Sequence, residues 1–197
     1  MIRIAVTSLK GGAGVTAVVA GFAQAAAQQD FDVLCVDADT QDTLKYHLGL
    51  VGLATGEKTN SSAARISLRS PSQAFDRAAD VVLWDLPRSA ADTHADVLTD
   101  ADAVVLVVPA SATSVTMAAA VRRFLTRGEN RFVLINFEDG RIPLKTAAAD
   151  YLDKHFHERM LGRIRHDESI EEAVANLELL STSAPYSAGW ADIRNAL

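Results

Sequence analysis

Three short polar clusters in this chain each close an apolar run, and their residue types suit phosphate and metal chemistry. The first is Ser8-Leu9-Lys10-Gly11-Gly12-Ala13-Gly14-Val15-Thr16, which follows Ile2–Thr7 and opens onto the alanine-rich run from Ala17 to Ala27. Strand, glycine loop and helix in that order make a phosphate cradle. Backbone N–H groups and the helix N-terminus face the anion, and a Ser/Thr hydroxyl binds Mg²⁺. The usual pattern ends Gly-Lys-Ser/Thr. Here Gly14 and Thr16 stand, and Val15 holds the place of the lysine. A tight βα turn that uses glycines only for geometry is the bland alternative; the flanking strand and helix favour the phosphate reading.

The second cluster is Val36-Asp37-Ala38-Asp39-Thr40-Gln41. Asp37 suits a water-mediated hold on Mg²⁺, an ion that keeps several waters and takes few carboxylates. Asp39 suits orienting or deprotonating an attacking water. The competing reading is a helix N-cap, for which Asp42 and Thr40 also qualify. The third cluster is Val81-Val82-Leu83-Trp84-Asp85-Leu86-Pro87, an apolar strand ending in a carboxylate of the Walker B kind that supports Mg²⁺. Asp80 begins that run and reads as a surface residue at the opposite edge.

Such clusters need strands that end together. Strands are expected at Ile2–Thr7, Val33–Asp37, Val81–Asp85, Ala103–Val108, Phe132–Asn136 and Arg159–Gly162. The central runs are nearly continuous in Val, Ile and Leu, which suits parallel strands buried on both faces. Helices are expected at Thr16–Gln28, Thr43–Leu48, Ala90–Leu98, Ser114–Arg127, Leu144–His155, Ser169–Asn176 and Ala188–Leu197. The βαβα alternation predicts an α/β fold in one domain over residues 1–197. It is a mostly parallel twisted sheet with right-handed crossovers and helices on both faces. Ligands of such sheets bind beyond the carboxyl ends of the strands, where all three clusters sit. Gly49 to Ser72 reads as a loop with a short edge strand at Arg65–Leu68.

Composition sets the outer bounds. With 197 residues, 49% of them apolar, the chain has material for one core, and its net charge of −6 argues against a general nucleic-acid coat. No apolar run approaches the roughly 20 residues that span a bilayer. The first residues form a strand, not a signal peptide, and Tyr186–Leu197 carries too few basic residues for an amphipathic membrane anchor. A cytoplasmic protein is expected. Cys35, the single cysteine, lies in an apolar run and reads as a small buried hydrophobe.

Together the clusters resemble the ParA/MinD superfamily of deviant-Walker-A ATPases over nearly the whole chain. Lys10-Gly11-Gly12-Ala13-Gly14-Val15-Thr16 is similar to the family's Lys-Gly-Gly-x-Gly-Lys-Thr, with Lys10 at the signature-lysine position. Asp37-Ala38-Asp39-Thr40-Gln41 is similar to its switch I, and Asp85-Leu86-Pro87 to its Walker B and switch II. The resemblance implies a P-loop NTPase fold that binds ATP or ADP with Mg²⁺. Gly11 to Ala17 would hold the nucleotide, Thr16, Asp37 and Asp85 the metal, and Asn136 would lie near the adenine. It also implies a homodimer that sandwiches ATP, in which Lys10 reaches the partner's nucleotide and Asp39 serves the attacking water.

Further segments resemble the BcsQ/YhjQ group, which accompanies bacterial cellulose synthase. They are Thr43–Leu50, Asn136-Phe137-Glu138-Asp139 followed by Pro143-Leu144, Ile164–Ala173, and Ala184-Pro185-Tyr186-Ser187. That group also tolerates loss of the Walker lysine. This second resemblance implies an accessory factor of a membrane-associated cellulose secretion complex, recruited to the inner membrane or cell pole by partners. A partition or positioning ATPase acting on DNA or a cellular cargo is the alternative. Against it, the chain shows no basic C-terminal patch and no terminal membrane helix of the MinD type.

A charge-assisted phosphate contact is worth about 1.5–3 kcal/mol, or roughly ten- to a hundredfold in binding. Val15 therefore predicts nucleotide binding with slow or absent turnover, because stabilising transferred charge is most of phosphoryl-transfer catalysis. His47, His94, His155, His157 and His166 are scattered without metal-ligand spacing. Trp84 and Trp190 read as core. Arg122, Arg123 and Arg127 suit a helix C-terminus, and Arg163, Arg165 and His166 are placed near the nucleotide mouth.

Overall fold

Val, Ile and Leu fill both faces of the strand runs, so neither face can meet water, and helices must cover the two sides. A computed structural model describes residues 1–50, 65–73, 79–88 and 90–197. In chain order it contains β1 (Ile2–Thr7), α1 (Val15–Ala27), β2 (Val33–Asp37), α2 (Leu44–His47), β3 (Ile66–Arg69) and β4 (Val81–Asp85). There follow α3 (Ala90–Thr93), α4 (Ala95–Asp100), β5 (Ala103–Pro109), α5 (Ala112–Thr116), α6 (Ala118–Leu125) and β6 (Arg131–Glu138). The rest is α7 (Pro143–Phe156), β7 (Met160–Arg165), α8 (Glu168–Ala175), α9 (Leu180–Ser183) and α10 (Ala188–Ala196). The strands form a 7-stranded sheet in the order β3-β2-β4-β1-β5-β6-β7, and every pairing is parallel.

Alternate residues of each strand feed two separate cores. Val6, Cys35, Leu83 and Val107 meet α1, α8 and α10 on one face through Phe22, Ala173, Trp190 and Ile193. Ala5, Val36, Trp84 and Leu106 meet α4, α6 and α7 on the other through Leu98, Phe124, Leu152 and Phe156. Helix α1 is rich in alanine because it must come close to α10. A Cβ on Gly21 would stand 2.7 Å from Cγ2 of Ile193. Cys35, Trp84 and Trp190 are core residues, as expected.

The expected strands and helices recur with shifted ends, and the larger differences have local causes. Ala90–Leu98 divides into α3 and α4 at His94, whose backbone leaves the helical region. Ser114–Arg127 begins earlier, because the Ser111 hydroxyl accepts the Ser114 N–H, and it divides at Met117. α9 was not expected. β7 runs to Arg165 instead of stopping at Gly162, since its arginines leave the edge of the sheet for carboxylates. The expected edge strand is β3, paired with β2; residues 51–64 of the expected loop lie outside the described residues.

Candidate functional site

β1 sits between β4 and β5, so the chain leaves it toward opposite sides, and a crevice opens at the carboxyl ends there. The loop after β1 is pinned at its base. The Thr7 hydroxyl donates to the Pro87 carbonyl at 3.0 Å, and the Ser8 hydroxyl to the Lys10 carbonyl at 2.8 Å. Gly12 and Gly14 adopt φ of +71° and +85°, which L side chains rarely do. A Cβ on Gly14 would also collide with Nδ2 of Asn136 and touch the Phe137 ring. Gly14 is the N-cap of α1, and no side chain caps that end. The first turn of α1 thus keeps the free N–H groups that a bound anion can take.

The loop walls a cleft of about 490 Å³, closed on the other sides by Asp39, Thr40, Gln41, Thr43 and His47 and by Leu86, Pro87 and Arg88. Val15 and Thr16 line it. Val15 also packs against the core beneath α1, so the side chain that replaced lysine has found an apolar partner. Lys10 is exposed and does not line the cleft of its own chain.

Asp37 of β2 and Asp85 of β4 do not line the cleft; they are buried behind it, opposite one another in register at the carboxyl ends of their strands. Asp85 is buried beside the Thr16 hydroxyl, and its Oδ2 has no hydrogen-bond partner. Burial is the main force that lifts its pKa to about 7; the charges of Asp37 and Asp39 add to the rise, and the Thr16 hydroxyl opposes it. Burial likewise raises Asp37. An unsatisfied buried acceptor costs about 1–3 kcal/mol, so the site favours a cation. Mg²⁺ takes one or two carboxylates, a hydroxyl, waters and phosphate oxygens. Thr16, Asp37 and Asp85 are the residues that could supply that protein share. Among the described residues no group of three His, Cys, Asp or Glu side chains could hold a metal, so water and phosphate would have to complete the shell.

Asp37 also shapes the second wall. Its Oδ1 accepts the Asp39 N–H at 3.1 Å and its Oδ2 the Leu44 N–H at 3.2 Å. The competing helix-capping reading of this cluster, for which Asp42 and Thr40 also qualified, is met by Asp37, which takes the first N–H of α2. Thr43 is the N-cap of α2 without a side-chain bond, and Asp42 pairs with Lys45. Asp39 lines the cleft, and its Oδ1 accepts the Gln41 N–H at 3.1 Å, which orients the carboxylate.

Asn136 does not line this cleft. Its Nδ2 donates to the Ala13 carbonyl at 2.9 Å, and its Oδ1 accepts the Phe137 N–H at 2.9 Å. Both ends of the amide tie β6 to the glycine loop. Asn136 and Ala17 instead line a smaller neighbouring pocket with Phe137, Ile164, Arg165 and His166. Arg163 lies outside that pocket, held by Glu138 at 3.1 Å, Asp150 at 2.8 Å and Asp153 at 2.6 Å. Of the three residues expected near the nucleotide mouth, Arg165 and His166 line this neighbouring pocket, and none of the three lines the cleft itself. Sequence reasoning missed Arg88, Thr43 and His47 as cleft residues. The one available signal was for Arg88, which directly follows the third cluster.

A family model described as the CobQ/CobB/MinD/ParA nucleotide binding domain matches residues 4–180. The chain belongs to this family. No curated protein matches its sequence. Solved structures with the same fold include MinD in the MinC:MinD cell division protein complex of Aquifex aeolicus. It is 20% identical with a TM-score of 0.78, covering 100% of this chain and 94% of that one. The septum site-determining protein MinD of Pyrococcus horikoshii, complexed with Mg-ADP, is 18% identical with a TM-score of 0.75, covering 99% and 93%. The Cyanothece McdA(D38A)–ATP complex is 16% identical with a TM-score of 0.70, covering 100% and 96%. At these identities the likeness establishes the fold.

Proposed function

We propose that the protein is a nucleotide-gated dimeric switch that binds ATP or ADP with Mg²⁺ and hydrolyses ATP slowly or not at all. The observation that carries this reading is the buried Asp37–Asp85 pair, with its unpartnered oxygen, beside Thr16 at the uncapped N-terminus of α1. Gly11 to Ala17 would hold the phosphates through backbone N–H groups. Bound Mg²⁺ would neutralise charge on the phosphate oxygens. Asp39 holds a position to orient a water. Val15 removes one charged phosphate contact, which weakens binding by roughly ten- to a hundredfold and turnover by more. Solved relatives carry Mg-ADP and ATP, which supports the ligand class.

Lys10 supports the dimer. Its exposed position outside its own cleft fits a lysine that serves a second copy. The sequence matches to the cellulose-associated group support an accessory role in cellulose secretion, at a membrane reached through a protein partner. No helix among the described residues is long and apolar enough to cross a membrane. The retained Asp39 favours a second reading, a turning-over positioning ATPase that acts on DNA or another cargo.

Calorimetry with Mg-ATP and Mg-ADP, paired with phosphate release, tests the site. Submillimolar to millimolar binding with little release supports the switch. Sustained release abolished by Asp39→Ala, with ATP-dependent DNA binding, supports the second reading. No heat at millimolar Mg-ATP contradicts both and leaves a scaffold.

A further inference from the structure

We propose that Arg88 supplies the positive charge that Val15 removes, acting on the terminal phosphate of a bound nucleoside triphosphate. The inference rests on the nucleotide-binding reading above and goes beyond it, because it assigns a phosphate ligand that no motif contains. Arg88 lines the cleft together with the glycine loop and Asp39. It is the single fixed positive charge among the described residues of that lining. His47, the other basic group there, is pushed by burial toward its neutral form. Lys10 is not in the lining.

Arg88 is also unemployed. Among the described residues no carboxylate or carbonyl pairs with it. Arg65, Arg141, Arg163 and Arg165 are ion-paired and Arg131 covers the Phe124 ring; of the exposed arginines without such a partner, Arg88 is the one that lines the cleft. Its backbone leaves a fixed segment. The Leu86 N–H donates to the Val6 carbonyl at 3.0 Å, and the Pro87 carbonyl takes both the Thr7 hydroxyl and the Ala90 N–H at 3.0 Å. The root of the side chain is therefore held beside the strand that carries the loop.

Position decides which phosphate it serves. In phosphate loops the backbone cradles the inner phosphates, and the metal bridges the outer two. Asp85, next to Thr16, is the carboxylate expected to hold the metal, and Arg88 follows it by three residues into the lining of the cleft. A guanidinium matches phosphate with two parallel donors, so one arginine can stand in for a lysine as a phosphate ligand. The chain has moved the cation from the start of α1 to the end of β4, and the vacated position is apolar and packed.

The test is calorimetry on the full chain with Mg-ATP and Mg-ADP, using wild type, Arg88→Ala, Arg88→Lys, Val15→Lys and Val15→Lys/Arg88→Ala. Arg88→Ala should weaken Mg-ATP by about ten- to a hundredfold and Mg-ADP by less than about threefold. Arg88→Lys should recover part of the loss. In the Val15→Lys background the loss from Arg88→Ala should shrink, since the lysine then carries the charge. Unchanged thermal melting of the ligand-free variants separates these effects from misfolding. Equal weakening of both nucleotides, or no weakening of Mg-ATP, overturns the assignment of Arg88 while nucleotide binding stands. A wild type that binds neither nucleotide overturns the nucleotide-binding reading itself, and the assignment of Arg88 with it.

Discussion

Two pockets flank the glycine loop, and they differ in how far their charged groups are paired within the protein. On the β2–β4 side, Asp85 keeps an oxygen without a partner, Arg88 has no counter-charge among the described residues, and the first turn of α1 is uncapped. On the β6–β7 side, Asn136 spends both ends of its amide inside the protein, Arg165 is clamped to Asp192 and Asp167 caps α8, while Nδ1 of His166 is the buried polar atom there that lacks a hydrogen-bond partner. A folded chain pairs its buried polar groups unless something else will pair them. The first pocket is therefore shaped for a charged ligand, and the second is mainly scaffold that holds the loop in place.

The sharpest way to break this contrast is Asp85→Asn. It should weaken Mg-ATP by roughly a hundredfold, because a charged metal ligand is lost. The same change should leave the ligand-free protein more stable at neutral pH. Asp85 has a folded pKa of about 7, above the ordinary carboxylate value of about 4. A raised pKa stabilises the fold only below the unfolded value, and that stability is lost as pH rises through the folded one. Wild-type stability should therefore fall between about pH 4 and pH 7, and Asp85→Asn should flatten that fall in a melting series. A steeper fall in the variant would reverse the assignment.

On the other side, Asn136→Ala should cost about 1–3 kcal/mol of stability through the lost bond to Ala13. Nucleotide affinity should drop less than in Asp85→Asn. If affinity collapses while melting holds, Asn136 touches the ligand and the second pocket is not scaffold. The smallest effect is expected at Arg163, whose three carboxylate partners lie near the surface. Arg163→Ala should cost about 1 kcal/mol or less in denaturant midpoint and leave nucleotide binding unmoved.

The central strands were legible because branched apolar runs admit little else. β1, β2 and β4 coincide with their expected bounds, and each delivers its polar cluster to one edge. Asp37, Asp85 and Thr16 were legible for the same reason, since each stands at an element end that the pattern fixes. What the pattern could not carry was tertiary. The left-handed Phe137 sets its ring against Gly14, far back along the chain. The bond from Asn136 to Ala13 spans 123 residues, so no local window signals that its amide is occupied. Arg88 belongs to no motif, and what singles it out, the lack of another fixed cation among the described residues of the cleft lining, is not local in sequence.

The central claim is a switch in which Mg-ATP in the cleft brings two copies together through Lys10. Light scattering of the full chain with and without saturating Mg-ATP tests it most directly. The account predicts that the mass doubles with Mg-ATP, stays monomeric without nucleotide, and no longer doubles in Lys10→Ala. A wild-type chain that binds Mg-ATP and remains monomeric would contradict it.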